Sequence, residues 1–385
     1  MFEPFPGNYV WNLSINLALL AGGNHGELDA VCRPVREAAL RGEEADTALL
    51  FDAWLGVARQ VIAMAQRDLA RNRRLSAGIK FQRAALYLLG AERMQSAGHA
   101  PRWRAYQDGL KYFRVALALQ GHDTEFVDIP YEGRHFTALF VGAAPGADGR
   151  AAPCVVCCNG LDSMKEQAYG IGFAQSFRQR GVSTLIVDQP GSGEALRSFG
   201  LPGRHDAEAW ATPACDYLLT RADVDHARIG MFGGSLGGYF APRAAAMEPR
   251  FKLCAVLGAN TNWGEVQRRR LAREGDRPVP HYWEHVMWVF GKRSLEEFMA
   301  WAPCMDLSGV LADLRVPFLV THPGGDRQIP LAYAQQAYDL AVNSPKRELF
   351  ITTREHMEVE HFGADNGTVA RDYIADWLSE TFQDM

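Results

Sequence analysis

A serine inside a glycine-rich segment is the first feature of this sequence that indicates chemistry. Residues 233–237 are Gly-Gly-Ser-Leu-Gly, and Ser235 lies at their centre. The apolar run 229–232 before them predicts a buried strand, and the stretch 236–247 predicts a helix. A serine on such a sharp turn is held in strained backbone geometry that exposes its hydroxyl, and small residues two positions away on each side permit the turn. The pattern therefore predicts that Ser235 is a nucleophile.

A serine hydroxyl becomes reactive only when a base takes its proton and a carboxylate orients that base. These partners are expected in loops at the carboxyl ends of later strands, in the order serine, acid, histidine. The predicted strand 316–322 leads into a loop that contains Asp326, and the predicted strand 347–352 leads to His356. We therefore predict a triad of Ser235, Asp326 and His356.

Other residues compete for the two partner roles. Asp313 and Asp365 are alternative acids, although neither follows a predicted strand. His361 is an alternative base, although it stands further from the end of its strand than His356 does. His322 ends a predicted strand, and this position predicts a supporting role.

An acyl-transfer reaction also needs two N–H groups that stabilise the oxyanion. One is expected from Leu236, which follows the nucleophile at the positive end of the next helix. The other is expected from the loop 159–166, where Gly160 permits a close backbone approach. We therefore predict that the N–H groups of Leu236 and Leu161 form the oxyanion hole. The glycine-rich stretch 188–194 lacks the spacing of a phosphate-binding loop and predicts a plain turn.

Two further patterns resemble metal sites. Residues 281–285 have the H-x-x-E-H spacing of inverted zinc proteases, with Glu296 or Glu297 as the third ligand and lid packing or substrate contact as the alternative. Residues 154–158 form C-x-x-C-C inside a predicted buried strand, where cysteine behaves as a small apolar residue. No second ligand pair stands nearby in the sequence at metal spacing, so we predict neither a metal nor a cofactor.

The chain changes character near residue 120, which predicts two domains. Residues 1–118 show apolar positions at spacings of three and four, which predicts a helical domain. After two segments that alternate like antiparallel strands, strands and helices follow one another to the end of the chain. We therefore predict that residues 119–385 form an α/β domain with a mostly parallel sheet covered by helices on both faces.

One long interruption of that alternation, about residues 260–312, is rich in large aromatic side chains. A packed helical insertion that forms a lid over the site is one interpretation. The alternative is that the aromatic residues join the two domains, and both can hold. Trp263 and Trp283 are candidate pocket residues in this insertion, and Asp162 is a candidate in the oxyanion loop.

Composition and charge narrow the classes of function. The 385 residues carry a net charge of −5 and no basic stripe, which argues against nucleic acid as the main partner. No apolar run in the sequence is expected to be long enough to span a membrane. The N-terminus lacks the basic region of a signal peptide, so a signal peptide is not expected. The seven cysteines form no regular framework, so a cytoplasmic location is expected.

Five motifs together resemble one branch of the α/β-hydrolases. They are NGLDSMKE at 159–166, DQPGSGE at 188–194, GGSLGGY at 233–239, GGDRQIP at 324–330 and REHMEVE at 354–360. The branch includes 2,6-dihydroxypseudooxynicotine hydrolase, the FrsA-like proteins and the chain-shortening hydrolases of fungal polyketide pigment pathways. The resemblance covers most of the chain, because these proteins also carry a helical domain before the hydrolase core.

This resemblance implies the α/β-hydrolase fold and a triad at Ser235, Asp326 and His356. It implies cleavage of a carbon–carbon bond next to a ketone, or of an ester, in an aromatic or polyketide substrate. Some members are thought to use an extra glutamate in the pocket; Glu265 is the nearest candidate here, with a surface helix position as the alternative. The resemblance also implies a homodimer, which is a common form in this branch.

These observations together predict a cofactor-free serine hydrolase that acts on a bulky, mostly apolar small molecule through an acyl-enzyme. Two other classes stay open. One is an acyltransferase or cyclase, in which a nucleophile other than water intercepts the acyl-enzyme. The other is a non-catalytic interaction protein that uses the hydrolase shell as a scaffold.

Overall fold

The computed structural model describes residues 1–43, 46–146, 149–274 and 280–385. The chain divides into two compact units. The first contains Met1–Asp123 and Pro278–His285, and the second contains Thr124–Arg277 and Val286–Met385.

The first unit is helical. Before Thr124, the described residues form α1 (Tyr9–Leu20), α2 (His25–Leu40), α3 (Thr47–Ala70), α4 (Arg74–Arg93) and α5 (Pro101–Gln120). Leu50, Trp54 and Val61 recur along one face of α3 and are buried, as the helical period of the sequence requires. The ring of Trp54 lies 5.6 Å from that of Tyr87 in α4, so this unit has an aromatic core of its own.

Helix α3 is long and apolar enough to cross a membrane by length and composition, which differs from the expectation that no stretch would be. Its apolar residues Leu50, Phe51, Trp54 and Val57 are buried in the core of the helical unit. Core helices of globular proteins pass the same test of length and composition. The length and apolar composition of α3 therefore do not assign it to a membrane.

The second unit is built on one sheet of eight strands. The strands are β1 (Thr124–Tyr131), β2 (Arg134–Val141), β3 (Ala152–Cys158), β4 (Ser183–Val187), β5 (Val224–Gly234), β6 (Phe251–Leu257), β7 (Phe318–Pro323) and β8 (Arg347–Thr352). Their order is β1-β2-β4-β3-β5-β6-β7-β8. The pairs β1–β2 and β2–β4 are antiparallel and the other five are parallel, which confirms the predicted mostly parallel sheet.

Helices alternate with these strands in the described residues. They are α6 (Lys165–Ile171), α7 (Phe173–Gln179), α8 (Gly193–Arg197), α9 (Glu208–Leu218), α10 (Gly237–Met247), α11 (Trp263–Glu274), α12 (Tyr282–Val289), α13 (Leu295–Trp301), α14 (Ala332–Leu340) and α15 (Val369–Gln383). Every residue of β3 and β4 is buried, as expected for central strands covered by helices. Because parallel strands end at the same edge of a sheet, the loops after β3, β5, β7 and β8 lie along one edge.

The predicted insertion at about residues 260–312 contains α11, α12 and α13, and its residues 275–279 lie outside the described residues. Four of its aromatic residues, all in the second unit, pack on one another. The ring of Trp263 lies 5.1 Å from that of Phe290 and 5.7 Å from that of Phe298, and the ring of Phe290 lies 4.7 Å from that of Trp301. This cluster gives the insertion its own apolar packing.

Candidate active site

The turn between β5 and α10 holds Ser235 in the left-handed region of backbone space, with a φ of 58°. The N–H of Ser235 donates to the carbonyl of Leu257 (2.9 Å), which fixes the turn against the end of β6. A Cβ at Gly233 would overlap the carbonyl of Gly237, so a side chain at position 233 would displace the turn. The local sequence therefore builds the strained, serine-bearing turn that was predicted.

Three side chains from three loops form a continuous hydrogen-bonded chain at this edge of the sheet. The Oγ of Ser235 lies 2.8 Å from Nε2 of His361, and Nδ1 of His361 lies 2.8 Å from Oδ2 of Asp326. Asp326 follows β7 as predicted, and His361 begins a short 3-10 turn, His361–Gly363, beyond β8. This is the geometry by which a carboxylate orients an imidazole and the imidazole accepts a proton from a serine.

The prediction that His356 lies against Ser235 is wrong. The Nδ1 of His356 accepts a hydrogen bond from the N–H of Thr353 (3.0 Å) and lies 3.0 Å from its Oγ1. His356 thereby caps the 3-10 turn Arg354–His356, and Met357 after it adopts a left-handed conformation with φ 54°. The chain makes this extra turn before it returns to the site, so the residue nearest the strand end is not the one that reaches the serine.

The loop that carries His361 is fixed by backbone and ionic contacts. Asp365, considered above as an alternative acid, accepts hydrogen bonds from the N–H groups of Val359 (2.9 Å) and Glu360 (3.0 Å). The carboxylate of Glu360 pairs with the guanidinium of Arg327 at 2.6 and 3.2 Å. Since Arg327 follows Asp326 and Glu360 precedes His361, this ion pair joins the acid loop to the base loop.

The buried carboxylate of Asp326 is held in its ionised form by its partners. Its Oδ1 accepts from the N–H groups of Gln328 (2.7 Å) and Ile329 (3.0 Å). Burial alone would raise the pKa of Asp326, but the adjacent His361, then His322 and the N–H of Ile329, outweigh it and lower the pKa below its ordinary value. His322 lies buried nearby, with Nε2 3.3 Å from the carbonyl of Ile329, and burial lowers the pKa of its imidazole. His322 therefore supports the loop of Asp326 through its contact with Ile329, as its position at a strand end predicted.

A narrow cleft lies beside the nucleophile within the second unit and is the candidate pocket. Both predicted oxyanion residues, Leu236 and Leu161, line it. A Cβ at Gly160 would lie 3.1 Å from Cβ of Ser235, which shows how closely the loop after β3 approaches the nucleophile. The other lining residues are mostly small or apolar: Asp162, Gln189, Pro190, Gly191, Gly203, Phe240, Val289 and Phe290. The oxyanion role of Leu236 and Leu161 stays a prediction that this placement favours.

The candidate pocket residues lie in different places. Asp162 lines the pocket, but its carboxylate pairs with the buried guanidinium of Arg197 at 2.7 Å. Trp263 is packed in the aromatic cluster behind Phe290 and is not among the residues that line this pocket. Trp283 belongs to the first unit, with its ring 5.1 Å from that of Tyr282. Only Asp162 of these three therefore meets the pocket beside Leu236.

Glu265 faces arginines on its own helix instead of this pocket. Its carboxylate pairs with Arg268 and Arg269, each at 2.6 Å. The hydrogen bonds from Arg268 and then Arg269 lower the pKa of Glu265 to about 2, so it is ionised and engaged at neutral pH. The surface interpretation of this residue is therefore favoured over the pocket role.

The residues of the zinc-like pattern have other partners in the first unit. The Nε2 of His281 lies 3.0 Å from Oγ1 of Thr47, and Glu284 accepts from the N–H of Ala97 (3.1 Å). Within the described ranges, no group of three histidine, cysteine or acidic side chains is arranged to hold a metal ion.

The cysteines of the C-x-x-C-C pattern are interior residues of β3. Cys154, Cys157 and Cys158 are unpaired by disulfides and fully buried, and burial raises the pKa of Cys157 to about 12. Their thiols therefore stay protonated at neutral pH and act as apolar packing groups.

Sequence relatives of the chain are hydrolases by name. It is 26% identical to the 2,6-dihydropseudooxynicotine hydrolase of Paenarthrobacter nicotinovorans over 85% of this chain and 83% of that one. It is 32% identical to the α/β-hydrolase psoB of Aspergillus fumigatus over 58% and 53%, and 29% identical to the α/β-hydrolase ucsC of an Acremonium species over 69% and 57%. The alignments thus span little more than half of the two fungal relatives.

Solved structures share the fold. The crystal structure of 2,6-dihydroxy-pseudo-oxynicotine hydrolase superposes with a TM-score of 0.75 over 95% of each chain, at 22% identity. The structure of wild-type AbyA5 superposes with a TM-score of 0.66 over 97% of this chain and 99% of the other, at 16% identity. At these identities the likeness shows the fold alone.

Two family models each match more than half of the chain. The model of FrsA-like esterases matches residues 53–266, and the model of the prolyl oligopeptidase family matches residues 172–384. The first match covers the oxyanion loop and the nucleophile, and the second covers all three members of the hydrogen-bonded chain. Taken with the eight-stranded sheet and its strained serine turn, these matches show that the chain belongs to the FrsA-like esterase and prolyl oligopeptidase families of the α/β-hydrolases.

Proposed function

We propose that this protein is a serine hydrolase that works through an acyl-enzyme, with Ser235 as nucleophile, His361 as base and Asp326 as the acid that orients it. The observation that carries the proposal is the pair of 2.8 Å contacts from Ser235 Oγ to His361 and from His361 to Asp326. A carboxylate can only accept at His361 Nδ1, so Nδ1 carries the proton and Nε2 is left free to accept one from the serine.

The first half of the reaction follows from this tautomer. As Ser235 attacks a carbonyl carbon, its proton moves to Nε2 of His361, and the anionic Asp326 stabilises the imidazolium that forms. The oxygen of the tetrahedral adduct takes up negative charge, which the N–H groups of Leu236 and Leu161 are proposed to stabilise. His361 then gives its proton to the leaving group, and an acyl group remains on the serine.

The second half repeats these steps with water. His361 takes a proton from water, the resulting hydroxide attacks the acyl carbon, and the proton returns to Ser235 as the acid product leaves. No group other than the three side chains and the two N–H donors is needed to move a proton or hold charge in this scheme.

We propose that the bond cleaved is either an ester or a carbon–carbon bond next to a ketone, in an aromatic or polyketide-like substrate. The apolar wall formed by Phe240, Val289 and Phe290 supports an apolar acyl group. A relative aligned over most of the chain is named as a hydrolase of 2,6-dihydropseudooxynicotine, which supports a small organic substrate. Carbon–carbon cleavage expels an enolate, so this branch of the proposal requires a second carbonyl that delocalises the charge, as in a β-diketone.

Labelling with a fluorophosphonate tests the nucleophile. We expect one label per chain on Ser235 by peptide mapping, none in Ser235→Ala, and a far slower reaction in His361→Ala, because the hydroxyl then has no base. A protein that is not labelled, or is labelled on another residue, contradicts the proposal and favours a non-catalytic scaffold.

Parallel assays separate the two bond types. Aryl esters and an aryl β-diketone are offered to the wild type and to Ser235→Ala, and products are quantified by chromatography. Cleavage of the diketone at a higher kcat/KM than the esters supports the carbon–carbon branch, and the reverse supports the esterase branch. The homodimer and the cytoplasmic location expected from the sequence also stay proposals; light scattering of the purified protein tests the first, and fractionation of the source cells tests the second.

A further inference from the structure

The turn that carries the second predicted oxyanion donor is held mainly by side chains. Residues 159–164 connect β3 to α6. The N–H of Asn159 donates to Oε1 of Gln189 (3.1 Å), and its carbonyl accepts from Nε2 of the same amide (2.9 Å). Within the turn, Oγ of Ser163 accepts from the N–H of Gly160 (3.1 Å) and donates to Oδ1 of Asn159 (3.0 Å). The path of the turn therefore depends on partners that lie outside it.

Asp188, in the loop after β4, connects this turn to α6 and α8. Its Oδ1 accepts from the side-chain amide of Asn159 (3.1 Å) and from the N–H of Lys165 (2.8 Å). Its Oδ2 accepts from the ammonium of Lys165 (2.9 Å) and from the N–H of Glu194 (2.9 Å). Asp188 is fully buried, so protein donors from three elements determine where its carboxylate lies.

The neighbouring backbone leaves room for this carboxylate. Gly193 at the start of α8 has a φ of 39°, and a Cβ there would overlap the carboxyl group of Asp188. Only a glycine gives Asp188 its position without a clash. The glycine-rich stretch 188–194, which predicted a plain turn, thus encloses a buried carboxylate.

The charged groups of this cluster lose their hydration when they are buried, which costs free energy. Lys165 is fully buried, and its ammonium contacts Asp188 (2.9 Å), Glu194 (2.5 Å) and Glu166 (2.8 Å). Apolar packing of the same volume is often as stable as a buried ion cluster, whereas the cluster demands one geometry. Its geometric consequence here is the position of the Asn159 turn.

We propose that Asp188, held by Lys165, is a positioning residue of the hydrolase site: it fixes the turn 159–164 so that the N–H of Leu161 lies where the oxyanion forms. This inference rests on the proposed function and adds to it a residue that touches neither substrate nor triad. The carboxylate acts through Asn159, whose backbone leads directly into Gly160 and Leu161.

Two substitutions disturb the same carboxylate in different ways. Asp188→Asn turns an NH₂ group towards two donors, the ammonium of Lys165 and the N–H of Glu194. Gly193→Ala keeps every charge but pushes the carboxylate out of its place. Since an error of about 1 Å in a reacting site can cost about 10²-fold in rate, we expect kcat for an aryl ester to fall by about 10- to 100-fold in each variant, with KM within about 3-fold of wild type.

The kinetic constants are expressed per site titrated with the fluorophosphonate, which removes any effect of misfolded protein. Affinity for an aryl boronic acid, which forms a tetrahedral adduct on the serine, is expected to fall by the same factor as kcat, because the adduct carries its charge in the oxyanion hole. Glu248→Gln is the matched control: its buried carboxylate pairs with Arg250 at 2.7 Å in the loop before β6. We expect this control to lower thermal stability and to leave kcat per titrated site unchanged.

Ser163→Ala is a milder third variant, which removes two hydrogen bonds of the turn and leaves the Asp188 cluster intact. It tests whether the position of the turn matters, and wild-type kcat in this variant would remove the need for a positioning residue even if neither of the first two folds. Wild-type kcat per titrated site together with wild-type boronate affinity in the variants that fold would overturn the inference. A wild-type protein that is not labelled at Ser235 overturns the proposed function itself. A labelled and active wild type with unaffected variants refutes only the positioning role of Asp188.

Discussion

Replacing each of two nearby histidines by alanine gives the sharpest test of the base. His361 makes 2.8 Å contacts with Ser235 and with Asp326, so His361→Ala leaves the serine without a base and the buried carboxylate without its ring partner. Loss of a triad histidine costs about 10⁴- to 10⁶-fold in kcat, or about 5 to 8 kcal/mol in the barrier. His356→Ala removes a hydrogen bond with Thr353 in a solvent-accessible 3-10 turn. We expect it to change kcat by less than about 3-fold and to cost about 1 kcal/mol in unfolding free energy, as the loss of a cap does.

The assay is hydrolysis of an aryl ester, with protein concentration from absorbance and folding checked by circular dichroism. A double variant, Ser235→Ala with His361→Ala, is expected to be no slower than Ser235→Ala alone, because the two side chains act as one unit. An active His361→Ala variant beside an inactive His356→Ala variant would refute the assignment and mean that the loop after β8 rearranges before reaction.

Three further outcomes follow from the same structure. Burial raises the pKa of Glu166 to about 7, from 4.5 in the unfolded chain, although the charge of Lys165 opposes the rise. Between pH 4.5 and pH 7 the folded protein therefore keeps a proton on Glu166 that the unfolded chain loses. The unfolding free energy of the wild type should fall by on the order of 3 kcal/mol as pH rises across that window. Glu166→Gln should lack this loss, and equal losses in both proteins between pH 4.5 and pH 8, measured by urea unfolding, would contradict it. Arg327→Met removes the half-exposed ion pair with Glu360 that joins the acid and base loops, so kcat should fall by roughly 3- to 10-fold with little change in the melting temperature, and an unchanged kcat would show that the pair is dispensable. Gly160→Ala would place a Cβ 3.1 Å from Cβ and 3.5 Å from Oγ of Ser235. We expect kcat to fall by about 10-fold or more, while the unfolding midpoint measured by fluorescence stays near that of the wild type. Full activity would mean that the loop after β3 has room to move.

Local patterns of the sequence were enough to predict the fold class and the strained turn that carries Ser235. The strands are short apolar runs that helices follow, and this alternation allows only a covered, mostly parallel sheet. The serine turn depends on residues within two positions of Ser235, so its geometry is encoded where it occurs. Asp326 was also predictable, because it stands three residues beyond the end of β7 and the loop has little freedom to carry it elsewhere.

Which histidine contacts Ser235 was beyond such rules. The path from β8 to α15 runs over residues 353–368, and a loop of this length places its side chains by contacts with other loops. Here the capped turn at His356, the left-handed Met357 and the ion pair from Arg327 to Glu360 carry the chain around to His361. The surroundings of Glu265 and Trp263 were beyond such rules for the same reason, since an aromatic or acidic residue in a helix shows its period but not its partner.

The sequence by itself determined those features that adjacent residues specify: the sheet, the strained serine turn and the strand-end acid. Only the tertiary structure decided which histidine meets the serine, and only it revealed the buried Lys165–Asp188 cluster behind the oxyanion turn. The physical reason is that hydrogen bonds and ion pairs between distant loops depend on how the loops close in space, which no spacing along the chain records.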